Sequence, residues 1–180
     1  MNNNHILKLG DQLLVNQTDI GNLVIFSRKN PSTLHSAYSY VKALSDLKKE
    51  KPIGALSLEL DQCYQQILET LAASKTKANY RDFPNFAFSI NYALKNDIPL
   101  YASDPLLLQS LTEIRDLDEL LYSSLGGVNP RYEKIQQKRA ESTSTRLKEI
   151  CSTTQGIVAH LASYDQAQRL YTFLGTSFSR

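Results

Sequence analysis

The stretch Gly54-Ala-Leu-Ser-Leu-Glu-Leu-Asp61 is an apolar run that ends in acidic residues. All of its residues except Glu59 and Asp61 are apolar or small. A run of this length is typical of a strand that is covered on both faces, as in a parallel α/β sheet. Asp61 is a favourable N-cap, and the apolar positions after it follow at helical spacing: Tyr64, Ile67, Leu68 and Leu71. The stretch therefore predicts a buried strand at 54–60 and a helix from 61 to about 73.

Glu59 lies at the carboxyl end of this predicted strand, just before the predicted helix. Open α/β sheets bind their ligands outside the carboxyl ends of their strands. An acid inside an apolar strand also needs a partner, because an unpaired buried charge is costly. Glu59 therefore indicates where a site lies, although it does not identify the reaction.

The rest of the chain alternates apolar runs with helical patterns. The apolar runs predict strands at 6–9, 13–15, 23–26, 98–102 and 156–162. Start and stop residues predict helices that begin at Pro31–Ser32, Pro84, Asn129–Pro130 and Tyr164, with two short helical patterns in 105–125. This order predicts an α/β fold with a mostly parallel, helix-covered sheet and an N-terminal β-hairpin. We expect a single domain over 1–180, with the hairpin at about 5–16 and the core at about 20–175.

Composition and charge narrow the class of protein. The chain has 180 residues, of which 42% are apolar and 21% are charged, as in ordinary soluble domains. Its formal net charge is +2, and its Lys and Arg residues are scattered, which gives no electrostatic case for a nucleic-acid or anionic-membrane partner. Residues 1–5 lack the features of a signal peptide, and no apolar run approaches the roughly 18 residues of a membrane span. We expect a cytoplasmic protein; the alternative is a protein exported by a route that leaves no N-terminal signature.

Cysteines, histidines and sequence motifs give no sign of a cofactor. Cys63 and Cys151 lie within apolar helical stripes, which predicts buried, reduced thiols. The sequence contains no CxxC pair, Cys/His cluster, Gly-rich phosphate loop, serine elbow or HExxH pattern. His35 and His160 are interpreted as packed or surface histidines, and His5 as a terminal residue. We therefore expect neither a metal nor a cofactor.

Polar residues follow several of the predicted strands. If the strands run parallel, these residues meet at one edge of the sheet. They are Arg28, Lys29, Asn30, Glu59, Asp61, Ser103, Asp104, Ser163 and Asp165. Such a group can coordinate a cation, polarise a carbonyl or perform acid–base chemistry. The alternative is that Asp61, Asp104 and Asp165 act only as N-caps of the helices that follow them.

The long predicted helix from Pro130 to about Ser152 offers a partner for Glu59. Its apolar stripe is interrupted by polar residues that include Arg139, so this part of the helix is either solvated or lines a polar cavity. A bidentate pair between Arg139 and Glu59 would satisfy both buried charges. The catalytic candidates are Glu59, Asp104, Arg139 and Asp165, and the ligand-binding candidates are Arg28, Lys29, Ser103 and Ser163.

Four segments carry a resemblance to a known family. They are Ala55–Leu60, which ends in Glu-Leu; Ala93–Asp104, which ends in Ser-Asp; the Arg-centred Lys138–Leu147; and Gly156–Asp165. In this order they resemble the TraB/PrgY superfamily, which is related to the Tiki proteases, the erythromycin-esterase-like proteins and the ChaN-like haem-binding proteins. The resemblance spans most of residues 20–175, although each motif is short.

The departures from that family concern its histidines. The family's first strand ends in Gly-x-x-His, where this chain has Phe26-Ser-Arg-Lys29, and the second Gly-x-x-His is absent near Ala162–Asp165. Only Glu59 and Arg139 carry over. The resemblance therefore implies a shortened relative that lacks metal-dependent hydrolysis.

Three hypotheses follow. The first is a non-catalytic binding or regulatory protein whose ligand is a protein or a small molecule. The second is a metal-assisted hydrolase that uses Glu59, Asp104 and Asp165 around a cation, with Lys29 or Arg139 stabilising an oxyanion. The third is a module that forms a homodimer through exposed tyrosines, a residue type that is enriched at interfaces.

Overall fold

The computed structural model describes residues 13–17, 20–28, 34–115 and 130–174. The strands are β1 (Leu13–Gln17), β2 (Leu23–Arg28), β3 (Ile53–Asp61), β4 (Leu100–Asp104) and β5 (Ile157–Ser163). The helices are α1 (Leu34–Glu50), α2 (Gln65–Ser74), α3 (Ala87–Lys95), α4 (Leu107–Arg115), α5 (Pro130–Thr153) and α6 (Tyr164–Leu174). A short 3₁₀ turn, Gln62–Tyr64, joins β3 to α2.

These strands form one sheet in the order β1-β2-β5-β3-β4. β2, β5, β3 and β4 run parallel, and β1 pairs antiparallel with β2. The prediction of an α/β fold with a helix-covered, mostly parallel sheet is therefore confirmed. The structure gives no support to the predicted hairpin at 5–16, because the partner of β1 is β2 and the other predicted strand, 6–9, lies outside the described residues.

Helices cover the two faces of the sheet with different side chains. α1, α2 and α3 pack on one face, where the strands contribute residues such as Leu58 and Leu161. α5 and α6 pack on the other face, against residues such as Ile25 and Val158. We call the first the apolar face and the second the polar face. None of the described helices combines the length and apolar character that crossing a bilayer requires.

Two glycines allow β3 and β5 to start close together. A Cβ atom on Gly54 would lie 1.9 Å from the carbonyl oxygen of Gln155. Gly156 has a φ of +91°, and a Cβ atom there would lie 2.8 Å from the carbonyl oxygen of Pro52. Residues that carry a Cβ atom rarely adopt a positive φ of this size. Gly54, which opens the Gly54–Asp61 stretch, is therefore required because the adjacent backbone leaves no room for a side chain. The pairing of β3 with β5 shifts register at this point.

Several local predictions are corrected by the structure. α2 begins at Gln65 and not at 61, because the 3₁₀ turn comes first. Cys151 is buried as predicted, but Cys63 is exposed because it lies in this turn and not in the helix. The second helical pattern within 105–125 lies largely outside the described residues.

Candidate functional site

The carboxyl ends of β3 and β5 form the centre of the candidate site. These strands are neighbours in the sheet, but α2 packs on the apolar face and α6 packs on the polar face. Neighbouring strands whose next helices lie on opposite faces form the switch point at which open α/β sheets bind ligands. Glu59 of β3 and Ser163 of β5 meet at this point.

Arg139 of α5 occupies the space between two acids at this edge. Its Nη2 donates a hydrogen bond to Oε1 of Glu59, and its Nε donates to Oδ2 of Asp104 over 2.6 Å. The side chains are almost completely buried: 10% of Glu59, 8% of Arg139 and none of Asp104 is exposed. We call these three residues the charge cluster. Glu59 and Arg139 form the expected pair, but the guanidinium is divided between two carboxylates, so its bond with Glu59 is not the bidentate one expected.

Ser163 donates two further hydrogen bonds to Glu59. Its backbone N–H donates to Oε2 of Glu59, and its hydroxyl donates to Oε1 over 3.1 Å. Ser163 precedes α6, so the start of this helix is tied to the end of β3. Ser163 was predicted as a ligand-binding residue, and in this structure its hydrogen-bonding groups contact Glu59.

Asp104 is the least satisfied member of the charge cluster. Burial raises the pKa of Asp104 to about 6, although the positive charge and hydrogen bond of Arg139 act to lower it. Its Oδ1 atom has no hydrogen-bond partner among the described residues. Burial acts to lower the pKa of Arg139, but Glu59 and Asp104 outweigh that effect and the pKa is raised. The guanidinium is therefore charged, whereas Asp104 titrates near neutral pH.

Asp61 acts as the cap that its position suggested. Its Oδ1 accepts a hydrogen bond from the backbone N–H of Cys63 over 3.0 Å, and its Oδ2 accepts one from the backbone N–H of Leu108 over 2.9 Å. The same carboxylate thereby stabilises the 3₁₀ turn and the first turn of α4. Asp61 is therefore a cap as predicted, but of the 3₁₀ turn and of α4 and not of α2, whose N-cap is Tyr64.

The remaining predicted site residues do not join the charge cluster in the described part of the chain. Asp165 is exposed in the first turn of α6, and Ser163 is the residue that precedes the helix. Arg28 ends β2, but its side chain lies outside what the structure describes, as does the whole of Lys29. Because α6 starts at Tyr164 without an intervening loop, Asp165 is carried into the helix and away from the strand edge.

Ser103 lies in a second, fully buried polar group that the sequence did not reveal. Its hydroxyl donates to the carbonyl oxygen of Leu58 over 2.9 Å, and the hydroxyl of Ser57 donates to Ser103 over 2.8 Å. Nδ1 of His160 lies 3.0 Å from the hydroxyl of Ser57. Since that hydroxyl already donates to Ser103, Nδ1 carries the hydrogen and Nε2 of His160 is an acceptor. Ser103 is therefore a buried structural residue, and no exposed surface of it could contact a ligand.

His160 is neutral in this group. Complete burial lowers the pKa of His160 to about 3, and its Nε2 has no hydrogen-bond partner among the described residues. The interpretation of His160 as a packed histidine is confirmed. The sequence signal for the group was a serine in an apolar strand and a histidine in another, but their register was needed to show that Ser57 and His160 are opposite each other.

The described residues contain no group of three or more His, Cys, Asp or Glu side chains placed to hold a metal ion. The charge cluster has only two carboxylates, and the guanidinium of Arg139 lies between them, where a bound cation would need to be. The site as it stands is suited to holding α5, β3 and β4 together.

Comparisons with known proteins identify no relative. The chain matches no family model, no curated protein and no solved structure. The resemblance to the TraB/PrgY superfamily therefore remains a proposal.

Proposed function

We propose that this chain is a TraB/PrgY-like α/β domain that lacks the usual metal-site histidines and works as a non-catalytic binding or regulatory protein. The observation that carries the proposal is the charge cluster, in which Arg139 bonds both carboxylates. The proposed setting is cytoplasmic, with a protein or small-molecule ligand and without a nucleic-acid or membrane partner. A homodimer formed through exposed tyrosines is a separate alternative, which the mass in solution tests.

The geometry of Glu59 supports this proposal. A general base must reach a proton of its substrate. Both oxygens of Glu59 already accept hydrogen bonds from Arg139 and Ser163, and only a tenth of its side chain is exposed. A substrate would have to displace an internal ion pair before Glu59 could act on it.

The amino-acid sequence also supports the non-catalytic proposal. The positions where the family carries Gly-x-x-His are occupied by Phe26-Ser-Arg-Lys29 and by Ala162–Asp165. With these histidines missing, the acids at the strand ends lack the nitrogen ligands and the acid–base groups that metal-dependent hydrolysis would use.

One observation favours the metal-assisted hydrolase as the second candidate. Oδ1 of Asp104 is buried without a partner, and the pKa of this carboxyl is raised to about 6 by burial. Perturbed acids with free acceptor atoms are common at reactive sites. In this alternative, Asp104 and Glu59 hold a cation after Arg139 has moved aside.

Thermal unfolding with divalent metals separates the two candidates. A ligand that binds only the folded state raises Tm, by an amount that corresponds to about 2.7 kcal/mol at a hundred times its Kd. We expect millimolar magnesium, manganese or zinc to leave Tm unchanged in the wild type. The matched variants are Glu59→Gln, which removes a buried charge of the cluster, and Glu141→Gln, which removes an exposed charge of α5.

A metal-induced rise in Tm that is lost in Glu59→Gln and kept in Glu141→Gln would overturn the non-catalytic proposal. Asp104→Asn gives a second test if Glu59→Gln folds poorly, because the hydrolase candidate requires both carboxylates. Loss of the metal response in Asp104→Asn alone would also count against the proposal. Measurement of the mass in solution over a range of concentrations tests the dimer, and a monomer at every concentration would exclude it.

A further inference from the structure

A cavity of about 550 Å³ lies on the outer side of the helices that cover the apolar face. It is formed by α1, α3, the segment that follows α2 and the turn that follows α3. Its volume is in the range of small-molecule sites. Its lining combines aromatic and aliphatic side chains with lysines: Tyr38, Val41, Phe88, Tyr92 and Leu94 with Lys75, Lys77 and Lys95, completed by Asn91 and Asp97.

An aromatic group forms one wall of this cavity. The rings of Tyr38 and Phe88 have centroids 5.2 Å apart and are tilted by 46°. Tyr80 does not itself line the cavity but contacts Phe88, with ring centroids 6.4 Å apart and a tilt of 54°. Tyr38 and Tyr80 are 65% and 45% exposed even though each ring contacts Phe88. An aromatic ligand would cover ring surface that is now in contact with water.

The charge at the cavity is positive. Lys75 lies 3.3 Å from Asp97, but both side chains are more than three quarters exposed, so this pair is weak. Lys77 and Lys95 form no ion pair with any described residue. The lining thus contains three lysines and one carboxylate, an imbalance that favours a ligand with a negative charge.

The floor of the cavity is held in place before any ligand binds. The side chain of Asn91 accepts a hydrogen bond from the backbone N–H of Ala78 over 2.7 Å and donates one to its carbonyl oxygen over 3.1 Å. This pair of bonds fixes the segment that carries Lys77 against α3. A site that is already ordered loses less conformational entropy when it binds a ligand.

We propose that this cavity binds a small aromatic molecule that carries a negatively charged group such as a carboxylate, sulfonate or phosphate. The aromatic wall would contact the ring system, and Lys77 and Lys95 would contact the charged group. This inference rests on the proposed function, in which the chain binds a ligand without transforming it. The charge cluster does not line the cavity, so the two proposals are tested by different variants.

A second cavity provides an internal control. It has a volume of about 390 Å³, lies between α4 and α5, and is lined by Arg131, Lys134 and Lys138 among other residues. Its lining contains no aromatic residue. It therefore offers a similar positive charge without the aromatic wall.

The test is a fluorescence titration of the full chain with anilinonaphthalene sulfonate, an aromatic anion. N-phenylnaphthylamine, which has the same rings but no sulfonate, is the neutral comparison. We expect saturable binding of the anion at one site per chain and weaker binding of the neutral compound. The double substitution Lys77→Glu with Lys95→Glu should raise the Kd of the anion roughly tenfold, since reversing two rim charges is worth about 1.4 kcal/mol.

The matched control is Lys134→Glu with Lys138→Glu, which changes the net charge by the same amount at the second cavity. It should leave Kd within about twofold. An equal loss of affinity in both double variants would mean that only the overall charge matters, and a loss in the control alone would place the site between α4 and α5. Either result overturns the proposal.

Tyr38→Ala tests the aromatic wall in a residue exposed enough to be removed without unfolding the chain. It should raise the Kd of both compounds about threefold to tenfold, as expected from loss of one aromatic contact. Unchanged affinity for both compounds would overturn the role of the wall. A wild type that binds neither compound overturns the inference about the cavity. The proposed non-catalytic function is tested by the metal experiment, so the two proposals can fail separately.

Discussion

The two faces of the sheet bury their side chains in different ways. On the apolar face the buried residues of the strands are hydrophobic, from Phe26 in β2 to Ala102 in β4. On the polar face the same strands alternate hydrophobic residues with Ser27, Ser57 and His160. The apolar face therefore supplies hydrophobic stabilisation, and the polar face adds a hydrogen-bonded layer that the fold itself does not require.

The polar face also leaves polar atoms without partners. Oγ of Ser27, Nε2 of His160 and Oε1 of Gln166 are buried and have no hydrogen-bond partner among the described residues. Near the apolar face, Oγ of Ser89 on α3 is in the same state. Each such atom costs stability, because it has lost its hydrogen bonds to water. This chain therefore tolerates unsatisfied buried polar atoms under α5 and α6 and largely avoids them under α1 and α3.

The largest effect should come from Arg139→Met. This substitution keeps the packing volume but leaves Glu59 and Asp104 buried without their cation. Breaking a buried ion pair in this way costs about 3–5 kcal/mol of unfolding free energy. Urea unfolding at neutral pH measures the loss. Lys138→Met, an exposed neighbour on the same helix, is the control and should change the free energy by less than about 0.5 kcal/mol.

Leu58→Ala should produce the next largest effect, on the apolar face. Leu58 is completely buried in β3, and its truncation leaves a cavity between the sheet and its helices. We expect a loss of about 3 kcal/mol in unfolding free energy. Because no charge is involved, the loss should be the same at pH 5 and pH 7, whereas the loss for Arg139→Met should shrink as pH falls, because the raised pKa of Asp104 lets this carboxyl be protonated. Equal pH dependence in the two variants would contradict this difference between the faces.

The alternation of apolar runs and helical patterns was enough to predict the sheet and its covering helices. The Gly54–Asp61 stretch becomes β3, and the pair between Glu59 and Arg139 follows from the need of a buried acid for a partner. These predictions succeed because periodicity and charge pairing are properties of the chain itself. The resemblance to a family adds an expectation about function that the fold does not test.

The rest of the candidate site depends on distances that periodicity does not contain. Asp104 joins Arg139 because α5 crosses the end of β4, and Asp165 does not join because α6 begins without a loop. Ser57, Ser103 and His160 contact one another because β3, β4 and β5 are adjacent, an order that the sequence left open. Strand order and helix start points decide which polar residues meet, and both depend on packing between distant segments.

Asp104 and His160 should act on stability in opposite directions as pH falls. The pKa of Asp104 is raised to about 6 from an ordinary value of 3.8, so between these values the folded state binds more protons and becomes more stable as pH falls. The pKa of His160 is lowered to about 3 from 6.5, so the unfolded state binds more protons there and stability falls as pH falls. Between pH 4 and pH 6 the two effects largely cancel.

Single substitutions should separate these opposing effects. Asp104→Asn leaves the contribution of His160, so its unfolding free energy should fall by about 1.4 kcal/mol for each pH unit lost between pH 6 and pH 4, relative to the wild type. His160→Leu leaves that of Asp104 and should show the opposite change. Urea unfolding at half-unit steps of pH provides the measurement. Parallel pH profiles for the wild type and both variants would contradict this prediction, because they would show that folding shifts the pKa of neither group in this range.

The smallest effect should come from Ser57→Ala, which compares the polar face with the apolar face at neighbouring positions of one strand. Ser57 and Leu58 point to opposite faces, and Ser57 donates to Ser103 while its oxygen lies 3.0 Å from Nδ1 of His160. Its removal takes away the hydroxyl closest to Nδ1 and leaves that of Ser103 at 3.4 Å, and should cost about 1 kcal/mol of unfolding free energy. Ser152→Ala, whose hydroxyl bonds its own helix at an exposed position, is the control and should be nearly neutral. A loss for Ser57→Ala as large as that for Leu58→Ala would mean that the polar layer stabilises the sheet as strongly as hydrophobic packing, which would reverse the assignment of roles to the two faces.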